Sequence, residues 1–499
     1  MSDIEARLAE LERGGLMRRL RLISGPQGPT VLLEGEPVLL LCSNNYLGLA
    51  DHPRVREAAA DAAMRWGVGA GASRLVSGTM TIHGRLEERL AAFKGTEACV
   101  LFGSGYLANL GVIGALAGAG DTIFSDELNH ASIVDGCRLA RAETIVYRHR
   151  DVEHLEWCMR RHGTRDAQAR RLVVTDSVFS MDGDVAPLEL LVDVTHEYGA
   201  RIVVDEAHAL GNLGPGGRGA VAEAGLEGEV DVIVGTLGKA LGSYGAYACA
   251  SAEMVRYLVN SARSLIFSTA PPPPAVAGAL AALELLCERP HRVQRLRSNA
   301  RALREELAAE GFPVAAGEMH IVPLIVGEER AAMQLCQEAI ERGVFAQAIR
   351  PPTVAAGTSR LRLTAMASHT PAELRAAAQQ FGAAARRLRI DPADMAPGHA
   401  ERELGPAEVS EESARADDLD GAAPLGANAP FDVERDRAAV AALAAEPRRA
   451  PARPPAPPSR EEIRVRVQTP DDAEHERSAA GDAGPFDGER DVAAGARAA

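Results

Sequence analysis

Six short apolar runs recur along the first half of the chain: Ala98–Phe102, Thr122–Ser125, Thr144–Tyr147, Leu172–Thr175, Ile202–Val204 and Val232–Val234. Each is a continuous run rather than an alternation, so each suits a strand covered on both faces. Helix-like stretches such as Leu188–Tyr198 separate several of them. Parallel strands need a crossover of a dozen or more residues, usually a helix. The pattern therefore confines the chain to an α/β fold with a large, mostly parallel sheet. In such sheets ligands gather at the strand ends.

The pattern changes after Pro271–Pro274. Long helices are expected over Ala275–Cys287 and Val293–Glu310, with short strands at Ile321–Val326, Val344–Ile349 and Arg360–Leu363. A last amphipathic helix covers Pro371–Leu388, completing a smaller α+β C-terminal domain. A chain of 499 residues exceeds what one core supports, about 250–300 residues, so several lobes are expected. The divisions read as an N-terminal segment 1–50, a large domain 51–270, a small domain 271–390 and a tail 391–499. The tail carries 24 acidic and 13 basic residues, is rich in Ala and Pro, and has only Phe431 and Phe486 as aromatics. It buries too little apolar surface to offset its ordering entropy and is expected to be disordered. Within it, Pro430-Phe-Asp-Val-Glu-Arg-Asp436 recurs as Pro485-Phe-Asp-Gly-Glu-Arg-Asp491, an aromatic anchor among charges of the kind a disordered segment uses to dock.

The net charge of −15 excludes a nucleic-acid or anionic-membrane binder, which needs a basic face. No stretch is apolar enough to span a bilayer, and the charged N-terminus lacks the apolar core of a secretory signal. Seven scattered cysteines without a CxxC argue against a disulfide framework or a zinc site. A cytoplasmic location fits, with no metal expected.

Of 54 basic residues only two are lysines, Lys94 and Lys239. A lysine kept in an arginine-rich chain can do what arginine cannot, namely lose its proton and act as a nucleophile. Lys239 lies in Gly235-Thr-Leu-Gly-Lys-Ala-Leu-Gly242, directly after an apolar run. A phosphate-binding P-loop would need Gly at 233 and Ser or Thr at 240, where the chain has Ile233 and Ala240. What remains is a lysine in a small-residue loop with Thr236 nearby, the arrangement of a Schiff-base lysine beside a phosphate-binding hydroxyl. Asp205 ends the run Ile202–Val204, with His208 three residues on. Such a carboxylate can keep a pyridine nitrogen protonated. The string Asp-Glu-Ala-His also spells a helicase box, but no phosphate-cradling loop accompanies it. Gly103-Ser-Gly-Tyr-Leu-Ala-Asn109 opens a helix after a strand, where backbone N–H groups bind phosphate. His130 follows another strand. The glycine string Gly67–Gly71 lacks the preceding strand that a dinucleotide site requires. Lys94 reads as an ordinary positive charge, replaceable by arginine.

Taken together, Ser43-Asn-Asn-Tyr-Leu-Gly48, Gly71-Ala-Ser-Arg-Leu-Val-Ser-Gly78, Thr175-Asp-Ser-Val-Phe-Ser-Met-Asp-Gly-Asp184, Asp205-Glu-Ala-His208, Gly216-Gly-Arg-Gly219 and Thr236-Leu-Gly-Lys239 resemble the α-oxoamine synthases, PLP-dependent transferases of fold type I. The resemblance covers roughly residues 1–390. Ile349–Thr364 is similar to the branch that condenses L-alanine with a pimeloyl thioester; a sister branch joins glycine to acetyl-CoA.

The resemblance implies pyridoxal 5'-phosphate as cofactor. It implies that Lys239 carries it and moves protons, that Asp205 holds the pyridinium proton, that His208 and Ser180 bond the phenolic oxygen, and that His130 stacks on the ring. Thr236, with the backbone of Gly105 and Tyr106, would hold the phosphate, helped by Ser268 and Thr269 lent across a homodimer interface. Arg362 would clamp the amino-acid carboxylate. Arg18, Asn44 and Thr353 would line the acyl path, with CoA or acyl carrier protein as acyl donor. One departure, Ala209-Leu-Gly-Asn-Leu-Gly214 in place of a Gly-Thr-Gly run, is expected to reshape a rim loop.

Overall fold

A computed structural model describes residues 3–162 and 169–396. The tail's repeated Pro-Phe-Asp motif and nearly all of the expected disordered segment lie outside the described residues.

Seven strands form the main sheet, in the order Ala98–Phe102, Ala246–Ala250, Val232–Thr236, Arg201–Asp205, Arg171–Asp176, Thr122–Asp126, Glu143–Tyr147. The last five are mutually parallel, as the apolar runs require, while Ala246–Ala250 lies antiparallel to both its neighbours. Successive side chains leave opposite faces of a strand, so each strand feeds two cores. Val100, Ile123, Val174, Val203 and Val234 join one, under helices Gly105–Leu116 and Ala131–Ala140. Leu101, Phe124, Val173, Val204 and Ile233 join the other, with Leu86, Leu191 and Leu283 from helices on that side. Helices cover both faces, which makes the sheet doubly wound.

The second lobe is built on a three-stranded antiparallel sheet, Ile321–Gly327, Ser359–Thr364 and Gln347–Ile349. The helix Glu329–Glu341 packs on it, and Pro371–Leu388 packs in turn on Glu329–Glu341 and His291–Ala309. Pro371–Leu388 starts with a reciprocal cap: Glu373 N donates to Thr370 Oγ1, and Thr370 N donates to the Glu373 carboxylate. The single strand expected at Val344–Ile349 is divided. Val344–Phe345 pairs in parallel with Glu36–Leu40 of the N-terminal sheet, and Gln347–Ile349 turns to pair with Ser359–Thr364. The buried Ala346 between them lets one apolar stretch serve two sheets. The packed body also runs past residue 390: Met395 is buried and Ala396 bridges to Ile325. The 209–214 loop, expected at a rim, is corrected by its burial: Ala209, Leu210, Gly211 and Asn212 are all enclosed. Among the described residues no helix is long and apolar enough to cross a membrane, and no His/Cys/Asp/Glu cluster could hold a metal. The seven cysteines are unpaired and five are buried.

Candidate active site

The parallel strands end together, and their last residues are polar. Asp176 and Asp205 are directly paired across neighbouring strands, and Thr236 closes the next strand. Both carboxylates are buried. Asp205 Oδ2 accepts from Asn109 Nδ2 at 2.7 Å, and Oδ1 accepts from the Ala207 N–H at 2.8 Å. Asp176 Oδ2 accepts from the His130 N–H at 2.7 Å. Burial, reinforced by the Asp205 charge, pushes the Asp176 carboxyl well above its usual range.

Past Asp205 the chain turns and delivers His208, whose Nε2 lies 2.7 Å from Lys239 Nζ. Its Nδ1 lies 2.7 Å from the Tyr46 hydroxyl. Burial, with the charges of Lys239 and Arg362, holds His208 far below the ordinary imidazole range, so the ring is neutral. Burial also lowers Lys239 to about 8, against the opposing pull of Asp205 and Asp176. No carboxylate of the described residues forms an ion pair with it. A lysine so placed presents a substantial fraction of free amine near neutral pH. Burial also lowers His130, whose Nδ1 lies 2.7 Å from Ser132 Oγ.

The helix Gly105–Leu116 begins beside Thr236. Its cap is Ser104, whose hydroxyl accepts from Leu107 N at 3.3 Å. A Cβ built on Gly105 would come within 3.8 Å of Thr236 Cβ, so the first helical turn and the threonine share one wall. N–H groups at such a start have no partner within the helix and suit an anion. The Tyr106 side chain bonds Asp135, leaving only its backbone for that role.

Arg362 reaches the site from the second lobe. Its guanidinium donates to the Ser180 carbonyl, to Asn44 Oδ1 at 3.2 Å and to the Tyr46 hydroxyl at 3.4 Å. It is buried, and among the described residues no carboxylate pairs with it. A buried guanidinium with only neutral acceptors suits an incoming carboxylate. The lobes are further joined by the buried pair Arg360–Asp182.

The structure thus gathers Lys239, His208, Asn44, Arg362 and the Ser180 carbonyl in one network of short contacts and Asp205 and His130 in a second, through Asn109 and Ser132, with Thr236 and Gly105 as one wall. Arg18 and Thr353 lie apart and exposed, on two chain segments that meet where Arg18 Nη2 donates to the Pro351 carbonyl at 3.3 Å. Ser268 and Thr269 lie on a surface strip where Thr269 bridges Ser73, beside the exposed Phe267. No hydrogen bond among the described residues joins that strip to the Lys239 cluster. Tyr46, Asn109, Asp176 and His320 are the neighbours that reading the sequence did not single out. Their only signal was position: Asn109 closes the quoted glycine segment, and Asp176 ends a strand one place along from Asp205.

The expectation for Lys94 is corrected. Lys94 is buried and donates to the Glu206 carboxylate and the Arg218 carbonyl. Glu206 Oε1 also accepts from Val221 N at 2.7 Å. Gly219, at φ 115°, presses on this carboxylate; a Cβ there would fall 2.3 Å from Glu206 Oε2. The cage holds an ammonium between two acceptors, and a planar guanidinium would have to displace one of them.

This geometry defines a lysine-centred site, with a buried arginine bonded only to neutral acceptors, at the strand ends of a doubly wound sheet. The profile of the aminotransferase class I and II family matches residues 36–381, and the chain belongs to that family. Within it, the chain is 51% identical over 392 residues to 8-amino-7-oxononanoate synthase of Citrifermentans bemidjiense, covering 78% of this chain and 100% of the relative. It is likewise 51% identical over 390 residues to the synthase of Geobacter sulfurreducens, covering 78% and 99%. Among solved structures, the fold is similar to Sphingomonas wittichii serine palmitoyltransferase, with a TM-score of 0.73 and 35% identity over 78% of this chain and 98% of that one. It is also similar to 8-amino-7-oxononanoate synthase from Francisella tularensis, with a TM-score of 0.60 and 25% identity over 71% and 99%.

Proposed function

We propose that this chain is a PLP-dependent acyltransferase that condenses L-alanine with a pimeloyl thioester, giving 8-amino-7-oxononanoate, CO2 and free thiol, a step of biotin biosynthesis. The observation that carries the reading is the contact between Lys239 Nζ and the neutral His208 Nε2 at 2.7 Å, beside buried Asp205.

The donor set fits PLP. Lys239 is an amine lowered by burial, with no carboxylate ion pair among the described residues, and able to hold an aldehyde carbon. The Asp205 carboxylate is fixed by two N–H donors, in place to hold the proton of a ring nitrogen. The helix start at Gly105 and Tyr106, beside Thr236, offers donors to a phosphate, with Ser268 and Thr269 of a second copy as further contacts. His130 would stack on the ring, and His208 and Ser180 would bond its phenolic oxygen. PLP bound there supplies an electron sink for negative charge at the amino acid's α-carbon. Lys239 Nζ removes and later returns the proton at that carbon. Arg362 holds the alanine carboxylate until it leaves as CO2. Asp205 keeps the ring nitrogen protonated throughout. Arg18, Asn44 and Thr353 line the approach of the acyl chain, whose carrier is CoA or an acyl carrier protein.

We read the working form as a cytoplasmic homodimer. The exposed apolar residues Val76 and Phe267 accompany the Ser268–Thr269 strip, and their burial by a second copy would bring those hydroxyls to its site. Incubating purified protein with L-alanine and pimeloyl-CoA, and weighing the product by mass spectrometry, tests the reaction. Product from glycine and acetyl-CoA, with none from the first pair, would move the chain to the sister branch.

A further inference from the structure

Tyr46 has no place in the reading above, yet it stands where the two halves of the site meet. It is fully buried. Its hydroxyl donates to Asn44 Oδ1 at 2.9 Å, receives Arg362 Nη2 at 3.4 Å, and lies 2.7 Å from His208 Nδ1. The donor and acceptor inventory fixes the arginine bonds, and the bond from Tyr46 to Asn44 sets the direction at His208. Arginine can only donate, and it donates to both Asn44 Oδ1 and the Tyr46 oxygen. The one hydroxyl hydrogen of Tyr46 goes to Asn44 Oδ1. His208 must then donate its Nδ1–H to the Tyr46 oxygen, which leaves Nε2 bare and facing Lys239 Nζ at 2.7 Å.

Behind the phenol stands His320. It is fully buried, and among the described residues neither ring nitrogen has a hydrogen-bond partner. Its ring meets that of Tyr46 edge-on, 4.0 Å between centroids. Burial keeps His320 neutral, so it supports the phenol without competing for its hydroxyl.

We propose that Tyr46 is a positioning residue that locks His208 in the Nδ1–H tautomer, so that Nε2 serves as the acceptor for Lys239, and that it thereby joins the carboxylate-binding Arg362 to the reactive amine. The link runs Arg362, Tyr46, His208, Lys239 through hydrogen bonds alone, with no net proton transfer. A bare Nε2 accepts from the lysine ammonium and so favours its charged form. Removing the phenol hydroxyl frees His208 to present Nε2–H instead, which opposes that charge. The other groups acting on Lys239 are Asp205 and Asp176 at the strand ends, Arg362 from the second lobe, His130 at its helix cap and His320. Tyr46→Phe leaves all of these in place.

The inference rests on Lys239 being the reactive lysine, and the test separates the two. In the full-length, cofactor-free chain, the rate of acylation by acetic anhydride is followed against pH by peptide mass spectrometry. With two lysines in the chain, the Lys239 peptide is unambiguous. Tyr46→Phe is expected to lower the midpoint for Lys239 by at least about half a pH unit, with the melting temperature nearly unchanged; Tyr46→Trp, which also lacks the hydroxyl, is not expected to restore it. An unchanged midpoint in a folded Tyr46→Phe protein overturns the proposal. The second measurement needs no variant: 15N shifts of histidine-labelled wild-type protein should show His208 as the Nδ1–H tautomer, and an Nε2–H tautomer overturns the proposal. Neither outcome bears on whether Lys239 carries the cofactor.

Discussion

Lys94 and Lys239 flank the same turn, Asp205–His208, and both are withdrawn from water. Lys94 is caged by the Glu206 carboxylate and the Arg218 carbonyl. Lys239 meets a neutral imidazole and, among the described residues, forms no ion pair with a carboxylate. The difference separates structure from chemistry. A buried ammonium on a buried carboxylate is a fixed cation whose loss strands the partner charge. A buried ammonium without one is drawn toward the free amine, and burial lowers Lys239 to about 8. One region anchors the turn, and the other works on what the turn presents.

Breaking the reactive side should have the largest effect. Lys239→Ala is expected to reduce turnover below detection while circular dichroism and melting stay near those of the parent; near-normal turnover would remove the proposed mechanism. On the structural side, Lys94→Met leaves Glu206 buried and unpaired, a loss of about 3–5 kcal/mol. Chemical denaturation should register it, and Lys94→Arg should also destabilise, because the cage must open. If both variants melt like the parent, the cage is not holding the turn.

Arg362→Ala sharpens the comparison by removing a second buried cation of the site that pairs with no carboxylate among the described residues. The expected loss is about 2–3 kcal/mol of transition-state binding, or about a hundredfold in kcat/KM for alanine, with PLP affinity little changed. A collapse of cofactor affinity with an unchanged KM for alanine would make Arg362 a structural residue.

A smaller effect is expected at His149, which bridges Asp126 and Asp184 at 2.8 and 2.7 Å. Burial opposes its charge, but the two carboxylate hydrogen bonds prevail and raise it to about 9. Its folded pKa lies above its unfolded one, about 6.5, so its stabilisation is complete below pH 6.5 and is lost as pH rises through 9. Denaturation midpoints of the parent should fall across that window, and those of His149→Gln should fall less. Parallel pH curves for the two proteins would count against a charged His149. Least of all, a chain ending after Ala396 should keep kcat, since the residues assigned to the site lie before Thr364. Cutting at Ile390 should cost stability, because Met395 and the Ala396 bridge would be lost.

What could be read from sequence was what local chemistry announces. Apolar runs gave the parallel strands, and the polar residues that end them, Asp205 and Thr236, were found with Lys239 and His208. Ala246–Ala250 escaped notice because Ala-Tyr-Ala-Cys-Ala has little β-branched character; it is a strand only because both neighbours pair with it. Val344–Ile349 looked like one strand because nothing local marks which sheet each half joins. Tyr46 stood unremarked inside the segment Ser43–Gly48, and Lys94 read as an ordinary positive charge, replaceable by arginine. Their roles depend on Arg362, His208, Glu206 and Arg218, which are distant in sequence and meet only in the folded chain.

The most direct test of the central claim uses the scarcity of lysine. PLP-loaded protein is reduced with borohydride, which fixes a pyridoxyl group to the lysine that carries the cofactor, and is then digested and mapped by mass spectrometry. The account predicts the label on Lys239 and an unmodified Lys94. A label on Lys94, or none on either lysine, would contradict it.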